Sequence, residues 1–207
     1  MLTNKREVLK GFFVLEGIDG SGTTTQLHRL EARSVSEGVA FRADCEPTSH
    51  PAGVLIRTIL RGDIEAQPGT IARLFAADRH QHLEGPLGIR RSLNAGTKVL
   101  SDRYFFSSLA YQGLDCSWEE VSNLNVGFPF PETLFFLDLE VGEAQARINS
   151  RGQAREIYEE APIQERVRLG YQRAISEAQA QGLEVMRLDA RQSVKELTDS
   201  IWSRICR

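Results

Sequence analysis

The apolar run Phe12-Phe13-Val14-Leu15 delivers the chain into Gly17-Ile18-Asp19-Gly20-Ser21-Gly22-Thr23-Thr24, after which Leu27, Leu30 and Val35 recur at helical spacing. An apolar strand, a glycine-rich turn and a helix in immediate succession constrain the fold more than any other feature here. The spacing Gly17-x-x-x-x-Gly22 is that of a phosphate-binding loop, whose glycines let the backbone turn and aim its N–H groups inward. The helix adds its positive N-terminal end. Such loops continue Gly-Lys-Ser/Thr. Here Thr23 stands at the lysine position, and Thr24 falls where the hydroxyl would bind Mg²⁺. The motif alone leaves open a phosphate loop without its cation or an ordinary glycine-rich turn. Its setting between strand and helix favours the phosphate loop.

The rest of the chain repeats this alternation. Residues 12–15, 39–43, 98–101, 133–139 and 183–188 read as strands. Residues 24–36 and 54–60 read as helices, as does a segment opened by Pro68 with Ile71, Leu74 and Phe75 at helical spacing. Asn94-Ala95-Gly96 is a helix stop, and Ser117-Trp118-Glu119-Glu120 and Ser193-Val194-Lys195-Glu196 look like capping boxes. The second box opens a helix with Leu197, Ile201 and Ile205 on one face. Continuous apolar strands alternating with helices predict an α/β fold, a three-layer sandwich around a parallel five-stranded sheet. With 207 residues, the expectation is one domain over 1–207.

Composition narrows the function. A net charge of −3 gives no basic field for nucleic acid. No apolar run approaches the roughly 18 residues of a membrane helix, and residues 1–7 lack a signal-peptide apolar region. Cys45, Cys116 and Cys206 are odd in number and widely spaced, so a reducing, cytoplasmic setting is expected.

In a parallel sheet, ligands bind beyond the carboxyl ends of the strands. Chemistry-bearing residues follow the strands here. Cys45-Glu46-Pro47-Thr48 comes after the second and reads alone as a polar turn. Ser101-Asp102-Arg103-Tyr104 ends the third, with an aspartate able to hold Mg²⁺ and an arginine able to face phosphoryl oxygens. Phe75 and Arg79 share a helix face and could stack a base and clamp a phosphate, although Phe75 taken alone reads as core. Ser107 with Tyr111, and Ser108 with Gln112, lie one turn apart and suit a base and sugar. Arg147, Arg151 and Arg155 lie four apart beside Gly152 and Pro162, which suits a mobile lid at about 150–161. Arg166 and Arg168 read as a solvated face.

In order, "FFVLEGIDGSGTTTQ", "EPT…AGVLIR", "LFAADRHQH", "SDRYFFSSLAYQG", "PETLFFLDL" and "YEE…QERVRLGY" resemble the thymidylate kinase family of P-loop nucleoside monophosphate kinases, from about Phe12 to Tyr171. The resemblance implies transfer of the γ-phosphoryl group of ATP to dTMP with Mg²⁺, usually by a homodimer. It places ATP on Gly17, Ile18, Asp19, Gly20, Ser21, Gly22, Thr23 and Thr24, and the metal on Thr24 and Asp102. It implies that Phe75 stacks on thymine, and that Arg79 contacts thymine or the dTMP phosphate. Ser107, Ser108 and Gln112 would line the base, with Tyr111 under the deoxyribose. By the same resemblance, Pro47, Arg57 and Tyr158 would belong to the acceptor pocket. Asp19 would contact the sugar or a bound water and metal, and Arg103 would clamp the phosphates in transfer. Gly20 stands where some members carry a basic residue, so Arg151 and Arg155 of the lid would supply that charge.

The chain departs from the family pattern at Thr23, where lysine is usual, and at Cys45, where an arginine is usual before Glu-Pro. Phosphoryl transfer relies on cations that meet developing charge. These two positions therefore raise a second expectation, a nucleotide-binding protein of weak catalytic power. Arg57, Arg79, Arg103, Arg151 and Arg155 are the candidates for compensation. A GTPase-type switch is disfavoured, since no Asn-Lys-x-Asp sequence occurs.

Overall fold

The computed structural model describes residues 6–150, 158 and 160–207. Its sheet has five parallel strands in the order β2-β3-β1-β4-β5: β1 (Val8–Glu16), β2 (Phe41–Cys45), β3 (Lys98–Asp102), β4 (Phe130–Asp138) and β5 (Val185–Asp189). The expected strands are all present, each shifted or lengthened by a few residues at its ends. From Phe12 onward every residue of β1 is buried, as are Val99 to Asp102 of β3 and most of β4. Side chains alternate between the faces of a strand, so burial at consecutive positions requires cover on both faces.

That cover comes from α1 (Thr23–Glu37), α2 (Pro51–Leu60), α3 (Pro68–Glu84), α4 (Ile89–Asn94), α5 (Phe105–Tyr111), α6 (Trp118–Asn125), α7 (Val141–Ser150), α8 (Ala161–Ala180) and α9 (Val194–Ile205). Helix α1 packs against α9, and α5 against α8. Proline occupies the first turn of α2, α3 and α8, where its missing N–H costs nothing. The box at Ser193 closes in both directions, whereas Ser117 only accepts from the Glu120 backbone N–H. Val35 is an exception to the helical pattern: it is exposed while Ser34 is buried.

Two apolar clusters form. The larger runs through the sheet, with Phe12, Phe13, Phe135, Phe136, Tyr104 and Tyr171 among its members. The smaller joins Ile56 and Ile59 of α2 to Ile71 and Phe75 of α3. The α2–α3 pair thus forms one wall beside the carboxyl ends of β1, β2 and β3, where the informative residues lie.

Candidate functional site

A cavity of about 640 Å³ opens beyond these strand ends. The turn after β1 forms one side. Gly17 lies where a Cβ would come within 2.9 Å of the Leu137 carbonyl, so the loop can pass this close to β4 only as glycine. Gly20 and Gly22 take positive φ, and Gly22 is the N-cap of α1 with no side-chain cap. The first-turn N–H groups of α1 are thereby left for a ligand. Ile18, Asp19, Gly20, Gly22, Thr23 and Thr24 all line the cavity.

At the end of β3, Asp102 Oδ2 accepts from Thr24 Oγ1 at 2.7 Å, while Asp102 Oδ1 is buried without a partner among the described residues. A hydroxyl beside a carboxylate oxygen with unused lone pairs fits a hard divalent cation, which binds through one or two protein oxygens and keeps phosphate and water ligands. Among the described residues, no cluster of three or more His, Cys, Asp or Glu forms a fuller metal site.

Arg103 is the one non-glycine residue at positive φ among those described (φ 75°). Such a conformation costs on the order of 1–3 kcal/mol and persists where the surroundings impose it. Here Arg103 N donates to Leu15 O at 2.9 Å and Ser101 Oγ donates to Arg103 O at 2.7 Å. The guanidinium donates to Asp19 Oδ1 at 2.5 Å, Tyr171 OH at 2.9 Å and Ser107 Oγ at 3.1 Å, and lies over the Tyr111 ring. Asp19 Oδ2 also accepts from Tyr111 OH at 3.0 Å and Gln164 Nε2 at 2.7 Å.

Beneath this clamp lies Glu16, fully buried at the end of β1. It accepts from Ser107 Oγ at 2.6 Å, Tyr171 OH at 2.8 Å and Tyr104 N at 2.8 Å. Burial pushes its carboxyl up to about 7, against the opposing effects of Arg103, Ser107, Tyr171 and the Tyr104 N–H. Because both hydroxyls give their protons to Glu16, they present lone pairs to Arg103.

The other end of the cavity is built on α3. Phe75 closes the small α2–α3 cluster and also lines the cavity, so core packing and cavity lining coexist at one residue. Arg79, 1% exposed, is tied on every side. It donates to Glu46 Oε2 at 2.9 Å from Nε, to Asn125 Oδ1 at 2.7 Å and to Ser108 Oγ at 3.1 Å, and its Nη2 lies 2.8 Å from Glu46 Oε2 as an ion pair. Gln112 Oε1 is buried and has no partner among the described residues. Tyr158 lines the cavity with its ring edge-on to Tyr111, 5.5 Å between centroids. Arg57 donates to Pro47 O and, at 3.4 Å, to Cys45 Sγ.

Most of the expected site residues therefore converge. Gly17 and Ser21 shape the loop from behind. Ser107 and Ser108 spend their hydroxyls on Glu16 and on arginines, and act through Arg103 and Arg79. Arg151 and Arg155 lie outside the described residues. Arg147 of the same series reaches the loop carbonyls, donating to Ser21 O at 3.3 Å and Ala190 O at 2.8 Å. Arg168 pairs with Glu140, as a surface face would. Glu16, Glu46, His82, Asn125, Gln164 and Tyr171 support the site without having been singled out in the sequence. Glu16 carried a signal, being a carboxylate that ends a run of buried strand. Gln164 lies in the segment QERVRLGY that carried the resemblance but had no role assigned to it, and Asn125 carried no signal.

The thymidylate kinase family model matches residues 15–201. The chain is 39% identical over 197 residues to a putative thymidylate kinase of Treponema pallidum (strain Nichols), covering 94% of each. It is 42% identical over 171 residues to a probable thymidylate kinase of Thermococcus kodakarensis, covering 77% of this chain and 82% of that one. A thymidylate kinase of Leptospira interrogans serovar copenhageni is 36% identical over 177 residues, covering 84% of each.

Proposed function

Because the chain belongs to the thymidylate kinase family, we propose that it transfers the γ-phosphoryl group of ATP to dTMP, giving dTDP and ADP. A dTMP phosphate oxygen forms the new P–O bond as the bond between the γ-phosphorus and the bridging oxygen to ADP breaks. The reaction asks little covalent work of a protein and much positioning, so no dedicated base is needed. The loop 17–24 and the first turn of α1 take the ATP phosphates. Arg103, held at one angle by Asp19, Tyr171 and Ser107, meets the charge on the transferred group. Phe75 stacks on thymine, Arg79 and Gln112 offer polar partners to its edge, and Tyr111 and Asp19 sit at the deoxyribose. Arg57 and Pro47 face the acceptor phosphate. Thr24 and Asp102 would hold Mg²⁺, which when bound neutralises charge on the donor phosphates. Arg151 and Arg155 are proposed to close over the transferred group as a lid, and the working form is proposed to be a cytoplasmic homodimer.

The observation that carries this reading is the convergence of the Thr24–Asp102 pair and the pre-set Arg103 beside the N-terminus of α1. The alternative, a weakly catalytic sensor, rests on Thr23 and Cys45 alone, whereas the clamp around Arg103 is complete. A coupled ADP-release assay with dTMP and Mg-ATP separates them. Turnover in the range of about 1–100 per second typical of kinases supports the reading. Turnover below about 0.01 per second, against that same range, rejects it.

A further inference from the structure

An unbroken alternation of charge runs from the surface to the buried arginine of the base pocket. Arg42 of β2 pairs with Asp44, whose Oδ2 lies 3.0 Å from His82 Nε2. His82 Nδ1 lies 3.0 Å from Glu46 Oε1, and the other oxygen of Glu46 takes both Arg79 contacts. The side chains of His82, Glu46 and Arg79 are 5%, 2% and 1% exposed. At its outer end the chain is moored to the α3–α4 turn and α4, since Arg42 Nη1 donates to Leu87 O at 2.7 Å and Ser92 Oγ at 2.6 Å.

We propose that His82 is a positioning residue for the pyrimidine end of the site, its imidazolium locking Glu46 so that Glu46 fixes the direction in which Arg79 presents its guanidinium. This rests on the reading of the cavity as a dTMP site.

The protonation state follows from the donors and acceptors alone. An ionised carboxylate only accepts. Both ring nitrogens of His82 face carboxylate oxygens, so a neutral ring of either tautomer would set a lone pair against a carboxylate at 3.0 Å. Two protons satisfy both contacts. Burial lowers the basicity of His82, but hydrogen bonds and charge from Asp44 and Glu46 outweigh it and hold it at about 9. The charged and titratable groups along this chain are Arg42, Asp44 and Glu46, with Arg79 and Asp78 on the same helix and Tyr104 after β3.

The leverage on Arg79 comes from the unequal strength of its ties. Asn125 and Ser108 offer single neutral acceptors, whereas Glu46 offers a charged oxygen that accepts from Nε at 2.9 Å and pairs with Nη2 at 2.8 Å. Charge-assisted hydrogen bonds are the stronger ones. Without the imidazolium, the buried Glu46 and the half-buried Asp44 become two carboxylates sharing one region, and Glu46 is free to turn from Arg79.

The test is His82→Gln in the full chain, at pH 8, with both substrates varied. The expected result is a KM for dTMP raised at least tenfold, with kcat and the KM for ATP within twofold of the parent. A folded variant whose KM for dTMP stays within twofold overturns the proposal, as does an equal loss of kcat at unchanged KM. Should the variant not fold, ¹⁵N-histidine NMR of the parent decides. The chain has four histidines, so His82 is assigned by substituting the other three. Both of its nitrogens should be protonated at pH 8, with a single titration near 9. A neutral His82 at pH 8 overturns the proposal. A parent that turns over dTMP with an indifferent His82 sinks this inference alone. A parent without turnover sinks the dTMP reading, and the NMR result still decides the state of His82.

Discussion

Thr23 opens α1 and lines the cavity, at the place where the loop would ordinarily hold a lysine. If the loop binds phosphate through backbone N–H groups and the end of α1, a side-chain cation there adds to binding and does not create it. Thr23→Lys should therefore retain ATP binding, read by isothermal titration with Mg-ATP. Loss of binding in this variant, with the parent still binding, would mean that the loop is not built as described. The residues that do bear charge at the site are positioned by others. Arg103 is fixed by Asp19, Tyr171 and Ser107, and the two hydroxyls are in turn oriented by Glu16.

At the scale of elements, α3 serves two purposes. Ile71 and Phe75 hold it to α2, while Phe75 and Arg79 face the ligand cavity. Phe75→Leu keeps apolar volume for the α2–α3 contact and removes the aromatic face. Base–aromatic stacking is worth about 1–3 kcal/mol per base. The KM for dTMP should rise on the order of tenfold by the lower end of that range, with the melting temperature little changed. A variant with unchanged KM would place Phe75 in packing only. β1 and β4 were legible because their inner stretches, Phe12 to Leu15 and Leu134 to Leu137, are buried on both faces and read as apolar runs, and β3 because it follows the helix stop Asn94-Ala95-Gly96. Their ends were less legible. Val8 and Lys10 of β1 are exposed, yet they continue the strand because its hydrogen bonds, set by neighbours distant in sequence, do not depend on apolarity. Residues directly after strands, such as Asp19, Asp102 and Arg103, were legible from position alone. Gln164 was not: it reaches Asp19 from 145 positions away, and only the packing of α8 brings it there.

At the scale of the whole molecule, two buried groups make stability depend on pH near neutrality. Glu16 titrates near 7 in the fold against 4.5 ordinarily, and His82 near 9 against 6.5. Both are raised, so in each case the folded state holds its proton longer than the unfolded chain does. The stability that each contributes is present in full below its ordinary value and is lost as pH rises through its folded value. Glu16 acts from about 4.5 to 7 and His82 from about 6.5 to 9, each by roughly 3 kcal/mol at most. Urea unfolding midpoints should fall steadily between pH 5 and pH 9.5, and His82→Gln should flatten the upper half of that slope. A midpoint that rises across this range would contradict the buried-network account. The Glu16 network ends at the place where the glycine loop, the Thr24–Asp102 pair and the Arg103 clamp meet. The most direct measurement of what they do there is a single-turnover reaction with γ-³²P-labelled ATP, dTMP and Mg²⁺. The account predicts that the label moves into dTDP, and only when dTMP is present. Label released as inorganic phosphate, or retained in ATP while dTMP is bound, would contradict it.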